Sequence, residues 1–259
     1  ENPVLVDKYL SGKEIEVDAI CDGVDVLIPG IMEHVERTGI HSGDSIAVYP
    51  AVNIDDELAE RIYEVTRKMC LALDVKGLIN IQYVLQDNEI YVLEANPRAS
   101  RTVPYLSKVT GVPMCELATR VSLGERLFDL GYGSGIAKIP PYTAVKVPVF
   151  SFAKLADVDT RLGPEMKSTG EVLGLGKNLQ EALFKGLVAA GYKMQRGGGV
   201  LITVRDSDKP EIIPIAAKLA ACGFRLYATR GTANFLAAKG FTVQMVEKIH
   251  QSAGNNTAS

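Results

Sequence analysis

Two runs of β-type residues stand out near the middle of the chain: Leu78-Ile79-Asn80-Ile81-Gln82-Tyr83-Val84-Leu85 and Glu89-Ile90-Tyr91-Val92-Leu93-Glu94. Gln86-Asp87-Asn88 separates them, so the pattern predicts a β-hairpin. Directly opposed residues of an antiparallel pair share a face. A three-residue loop at Asp87-Asn88-Glu89 sets Gln86 against Ile90, Val84 against Val92, Gln82 against Glu94 and Asn80 against Asn96. A two-residue loop would oppose Gln82 to Leu93 and mix polar with apolar, so the three-residue loop is expected. Ile79, Ile81, Tyr83, Tyr91 and Leu93 then form the core face.

The same reading extends outward. Residues 4–10, 14–21 and 24–30 read as short strands, with a break around Pro29-Gly30 and Thr38-Gly39. Asn53 or Asp55 can cap a helix that carries Leu58, Ile62, Val65 and Met69 on one side. His34 and the charges of Asp55-Asp56-Glu57 read as solvated or capping groups. Pro113 opens a helix to about Gly124, with Met114, Leu117 and Val121 inward. Gly131 to Gly135 reads as a turn, Pro140-Pro141 as a break, and Tyr142 to Phe152 as an apolar β-type stretch. Asn178 caps a helix through Leu183 and Leu187 to about Gly191. Gln195-Arg196-Gly197-Gly198-Gly199 marks a boundary, giving domains at 1–192 and 193–259. Beyond it the pattern becomes β-α-β-α-β: Val200–Val204, Pro210–Cys222, Phe224–Ala228, Thr232–Lys239 and Phe241–Val246. Strands alternating with helices predict a parallel, doubly wound sheet, incomplete at this length.

Composition narrows the function classes. The chain has 259 residues, 47% of them hydrophobic, and a net charge of −3. It can bury a core, and it has no basic excess to hold nucleic acid. No apolar run reaches membrane-spanning length and no signal-peptide pattern is present, so neither membrane nor nucleic acid is an expected partner. Cys21, Cys70, Cys115 and Cys222 lack C-x-x-C spacing, which predicts reduced thiols in a cytoplasmic chain and no zinc site.

The candidate chemistry sits at the end of the hairpin. Glu94 and Asn96 are two apart, on one face and about 7 Å apart along a strand. Gln82 joins them through the register above, and Arg98 and Arg101 follow in the sequence. Hard oxygen ligands next to fixed positive charge suit Mg²⁺ held together with phosphate. The alternative is a polar, solvated sheet face ending in a turn.

Longer strings give the patch a context. Glu94-Ala95-Asn96-Pro97-Arg98 resembles the metal-binding strand of ATP-grasp ligases. The run from Asn96 to Pro113 resembles the large subunit of carbamoyl phosphate synthetase. So do Asp18-Ala19-Ile20-Cys21-Asp22-Gly23, Gly30 to Glu36, Gly39 to Ser45, and Gly163 to Val172. The Thr102-Val103-Pro104 version and the module that follows resemble the second of that subunit's two halves. A biotin carboxylase relative would share the fold but not the string from Arg98 to Pro113.

The resemblance implies α/β and α+β architecture. It expects the C-terminal lobe of an ATP-grasp domain, mainly antiparallel sheet with helices, followed by part of a parallel methylglyoxal-synthase-like regulatory domain. It also implies ATP- and Mg²⁺-dependent (or Mn²⁺-dependent) phosphorylation of carbamate, with K⁺ as a further candidate ion. The pathways implied are pyrimidine and arginine biosynthesis. The partners implied are a glutaminase subunit or domain and a nucleotide effector. Gln82, Glu94 and Asn96 match the metal ligands, with Glu94 expected to bridge two ions. Arg98 matches the phosphate-facing arginine, and Arg101 either joins it or pairs with a structural carboxylate. Gly39, Ile40, His41 and Ser42 match the loop that reaches the nucleotide. Lys8, Leu10 and Glu14 match the strand that contacts adenine and ribose. Lys209, Thr229, Thr232 and Lys248 match the effector site. Glu36 and Asp44 resemble ornithine-binding positions, but Val147 is apolar where a carboxylate is expected. Starting at Glu1 without the preceding lobe, the chain reads as a fragment, for which a non-catalytic nucleotide-binding module is the alternative function.

Overall fold

The computed structural model describes residues 4, 6, 8–154 and 159–247. The chain divides into two compact units, Glu1–Tyr192 and Lys193–Ser259.

The first unit is built on an eight-stranded sheet. Its strands are β1 (Lys13–Asp22), β2 (Val26–His34), β3 (Ala47–Tyr49), β4 (Lys76–Gln86), β5 (Glu89–Asn96), β6 (Gly135–Ile136), β7 (Thr143–Val149) and β8 (Gly170–Gly176). They run in the order β5-β4-β1-β2-β3-β7-β8, with β6 paired to β2. All neighbours are antiparallel except β2 and β6. Among the described residues four α-helices cover it: α1 (Asp56–Ala72), α2 (Thr102–Thr110), α3 (Met114–Ser122) and α4 (Leu179–Ala189).

The alternation in β1 decides which face each helix covers. Ile15, Val17, Ala19 and Cys21 join Ile79, Ile81 and Tyr83 under the inner side of α1, where Ile62, Tyr63 and Cys70 lie. Ile20, Leu27 and Met32 face the opposite way, into a second core with Leu106, Met114, Leu117 and Val121 from α2 and α3. Glu14, Glu16 and Asp18 share that second face and are nevertheless buried. The expected caps are in place: Asp55 accepts from Leu58 N–H at 2.9 Å and Asn178 from Glu181 N–H at 2.9 Å.

Several expectations are corrected. The hairpin turn has two residues, Asp87 and Asn88, with φ of +52° and +63°, and Gln86 opposes Glu89. Both positive φ values fit the turn type whose twist matches the flanking strands. A bulge at Leu93 then absorbs one residue, and Gln82 still meets Glu94 and Asn80 still meets Asn96. Because β5 is a sheet edge, Tyr91 and Leu93 are 41% and 47% exposed and are not core. Pro29 does not end β2. Ile28 and Pro29 together oppose Ala19 in a second bulge, which accommodates the missing ladder donor. Residues 8–10 are not strand, and residues 5 and 7 lie outside the described set. The sequence pattern assigned no helix to Thr102–Thr110, where α2 forms. Pro104 falls in the first turn, where no N–H partner is needed.

The second unit has β9 (Gly198–Ile202), α5 (Lys209–Ala221), β10 (Phe224–Thr229), α6 (Arg230–Ala238) and β11 (Val243–Val246). The sheet order is β11-β10-β9, all parallel, as the β-α-β-α-β pattern predicts. Its core gathers Ile202, Ala216, Leu226, Ala228, Ala233 and Leu236. Among the described residues no helix is long and apolar enough to cross a membrane.

Candidate active site

The bulged end of the β4–β5 hairpin presents Glu94 to two amides. Its Oε1 accepts from Gln82 Nε2 at 3.0 Å and from Asn96 Nδ2 at 2.9 Å. Gln82 Nε2 also reaches Ser42 Oγ at 3.2 Å. Two cavities meet at this cluster, sharing His41, Ser42, Gln82 and Glu94.

The first cavity, about 440 Å³, is walled by Lys8, Leu10, Glu14, Gly39, Ile40, Val84 and Leu93. Val84 and the bulged Leu93 give it an apolar side. His41 is held as an acceptor: its Nδ1 takes Gly43 N–H at 3.0 Å. Glu14 lies in the wall, but its carboxylate is committed to Gly39 N–H at 3.1 Å and His34 at 3.1 Å. The second cavity, about 310 Å³, is lined by Arg98, Arg101, Lys146, Glu16, Ser100 and Thr102. Lys146 is 1% exposed and donates to the Ser42 carbonyl at 2.9 Å. Arg101 donates to Ser168 Oγ at 3.3 Å, and among the described residues no carboxylate pairs with it. Arg98 is exposed, with Nη1 on the Ala99 carbonyl at 3.1 Å.

Beneath both cavities runs a buried polar chain that the sequence reading missed. His34, expected in solvent, is 1% exposed. Its Nδ1 and Nε2 sit 3.1 Å from Glu14 Oε2 and 3.1 Å from Glu16 Oε2. Asn80 donates to Glu16 at 2.9 Å and to Asp18 at 3.1 Å, and the Thr102 hydroxyl donates to Asp18. Thr102 opens α2, so Asp18 fixes the turn that carries Arg98 and Arg101. Burial works against ionised Glu16, but His34, Lys146 and Asn80 outweigh it and hold its pKa at about 2. Asp18 goes the other way: burial and the neighbouring Glu16 charge raise it to about 6. Burial depresses His34, yet Glu14 and Glu16 bring its net shift upward. The available signal was the alternation of acids with Ile15, Val17 and Ala19, which reads equally well as a solvated face.

Asp44 is fully buried and accepts from Lys167 N–H at 2.8 Å and Ser168 N–H at 2.7 Å. Glu36 accepts from Ile46 N–H at 2.7 Å, and burial raises its pKa. Both carboxylates thus accept from backbone N–H groups of the loops around them.

In the second unit, Thr229 Oγ1 lies 3.1 Å from Thr203 Oγ1, and Thr232 Oγ1 accepts from Val204 N–H at 3.5 Å. Lys209 pairs with Asp206 at 2.7 Å and lies 5.9 Å from the Phe235 ring centre. Thr229 and Thr232 thus sit at the junction of β10 and α6, and Lys209 sits at the start of α5. Lys248 lies outside the described residues.

Two family models match separate stretches of the chain. The family described as carbamoyl-phosphate synthase L chain, ATP binding domain, matches residues 1–130. The chain belongs to this family. The MGS-like domain family matches residues 211–258. A carbamoyl phosphate synthase large chain from Clostridium botulinum (strain Kyoto / Type A2) is 55% identical over 256 residues, 98% of this chain and 24% of that protein. The large chain from Lachnoclostridium phytofermentans is 53% identical over 249 residues, 96% of this chain and 23% of that protein. The chain thus spans about a quarter of the length of the curated relatives it matches. The biotin carboxylase domain of a single-chain bacterial carboxylase aligns with a TM-score of 0.49 and 18% identity, covering 64% of this chain and 43% of that one.

Proposed function

We propose that residues 1–192 form the nucleotide-facing part of a half-site that phosphorylates carbamate with ATP, giving carbamoyl phosphate and ADP, within a carbamoyl phosphate synthase large chain. One observation carries this reading. Glu94, with Gln82 and Asn96 bonded to it, stands where an apolar-sided cavity meets one lined by Arg98, Arg101 and Lys146.

The donor set fits a divalent ion. Glu94 supplies an exposed carboxylate, and each amide can turn its carbonyl oxygen where its N–H₂ now points, giving the hard-oxygen set that Mg²⁺ or Mn²⁺ takes. When bound, the ion would neutralise phosphate charge. The chain's own residues do the rest. Phosphoryl transfer depends on positioning and charge stabilisation more than on covalent chemistry. Arg98 offers a planar fork to the transferring oxygens. Lys146 holds the Ser42 carbonyl and so the loop that faces the nucleotide. Leu10, Val84 and Leu93 offer the base an apolar wall.

The family supports the remaining partners. A glutaminase subunit or domain supplies ammonia, and a nucleotide effector places a phosphate at the corner of Lys209, Thr229 and Thr232; Lys248 joins this set by its place in the sequence alone. K⁺ is a further ion of the complete enzyme, which acts in the cytoplasm in pyrimidine and arginine synthesis.

The test is ATP formation from ADP and carbamoyl phosphate in the full-length enzyme carrying Glu94→Gln. Losing the only carboxylate of the cluster should lower the rate by about a hundredfold or more. Wild-type turnover in the variant would refute the reading. Nucleotide binding without turnover in a folded, unsubstituted enzyme would favour a non-catalytic binding module.

A further inference from the structure

Lys8–Leu10 forms one wall of the first cavity, yet among the described residues it has no strand partner. Side chains supply what a ladder would. The buried Thr38 hydroxyl donates to the Leu10 carbonyl at 2.9 Å. A hydroxyl has one proton, so with it spent on Leu10, Tyr9 Oη is the donor towards Thr38. It lies 3.2 Å from the Thr38 carbonyl and 3.3 Å from Thr38 Oγ1. The Tyr9 ring also roofs the next residue: a Cβ built on Gly39, whose φ is +90°, would lie 3.9 Å from Tyr9 Cε2. Gly39 N–H is fixed from the other side by Glu14 at 3.1 Å. The wall and the turn leading to His41 and Ser42 are therefore tied together by one directed chain, Tyr9 to Thr38 to Leu10.

We propose that Tyr9 and Thr38 form a side-chain latch that positions the base-facing wall of the nucleotide cavity against the Gly39–Ser42 turn. The proposal rests on the nucleotide reading of that cavity. Thr38 and Tyr9 are positioning residues: they act through the Leu10 backbone and the Gly39 turn. The latch operates at the base end, so its loss weakens AMP and ATP equally. A change at Glu94 operates at the phosphate end and is felt by ATP with Mg²⁺ and not by AMP.

The experiment is calorimetric titration of this chain with AMP and with ATP plus Mg²⁺, in wild type, Thr38→Val, Thr38→Ser, Tyr9→Phe and Glu94→Gln. Thr38→Val keeps the shape and removes the donor, and should weaken both nucleotides about fivefold, the worth of one hydrogen bond. Thr38→Ser should restore affinity, which a purely steric role for the methyl group would not. Tyr9→Phe should weaken both about twofold. It is at an exposed position, so it keeps the test alive if Thr38→Val does not fold. Wild-type affinity for both nucleotides in Thr38→Val, or in Tyr9→Phe where the former is unfolded, overturns the latch. If the wild-type chain binds neither nucleotide, the nucleotide reading is decided in the full-length enzyme and amide hydrogen exchange at Tyr9–Gly12 decides the latch. Faster exchange in Thr38→Val or Tyr9→Phe supports it, and unchanged exchange in both overturns it.

Discussion

Replacing His34 by leucine is the sharpest stability test the fold offers. The ring is 1% exposed and faces two carboxylates, each at 3.1 Å. A neutral imidazole donates through only one nitrogen, so satisfying Glu14 and Glu16 together requires the doubly protonated ring. Leucine fills similar space but leaves two acids facing an apolar group on a covered sheet face. Removing one partner of a buried ion pair costs about 3–5 kcal/mol, and two hydrogen bonds to charged groups give a similar sum at about 1.5–3 kcal/mol each. We expect urea unfolding of His34→Leu near pH 5.5 to show that loss with an unchanged denaturant slope.

The pH dependence has a definite sign. His34 has a raised pKa, so its contribution is complete below its ordinary value of 6.5 and is lost as pH rises through the folded value. Glu16 has a lowered pKa, so its contribution is complete above 4.5 and is lost as pH falls towards about 2. The gap between wild type and His34→Leu should therefore be widest between about 4.5 and 6.5 and narrow on both sides. Adding Glu16→Gln removes one stranded charge, so the double variant should lose less than the sum of the singles. A loss below about 1 kcal/mol, or a gap independent of pH, would refute the buried-pair argument.

Two further outcomes follow from the same face. Asp18, raised from 3.8 to about 6, stabilises the fold in its protonated form, and that stability is lost as pH rises from 3.8 to 6. Thermal melts of Asp18→Asn should lack that slope, worth about 3 kcal/mol at about 1.4 kcal/mol per pKa unit, and the variant should equal or exceed wild type at pH 7. Asp44→Asn leaves one acceptor for two backbone donors at Lys167 and Ser168. It should cost about 2 kcal/mol in urea unfolding and speed proteolysis between Gly163 and Ser168, and an unchanged midpoint would count against the clamp.

What the sequence specified was local. Asp55 and Asn178 cap helices because a short acceptor before an amphipathic run can reach the free N–H groups of the first turn. Alternating strand and helix patterns after Gly199 fixed a parallel sheet, because consecutive parallel strands need a crossover. The meeting of Gln82 with Glu94 and of Asn80 with Asn96 was legible from residue type. The route to it was not, because a two-residue turn plus a bulge at Leu93 ends in the same register as a three-residue turn.

Tertiary structure alone decided what covers each face. Glu14, Glu16 and Asp18 alternate with apolar residues as they would on a solvated strand. Only the packing of α2 and the Gly39–Ser42 turn over that side makes them buried, forces His34 between two of them and spreads their pKa values apart. Lys146 and Thr38 gained their partners in the same way, across 104 and 28 residues of chain. A sequence states which groups carry charge and which strand face they share. It does not state how much water remains above that face, and the removal of that water turns ordinary acids into a fixed electrostatic framework.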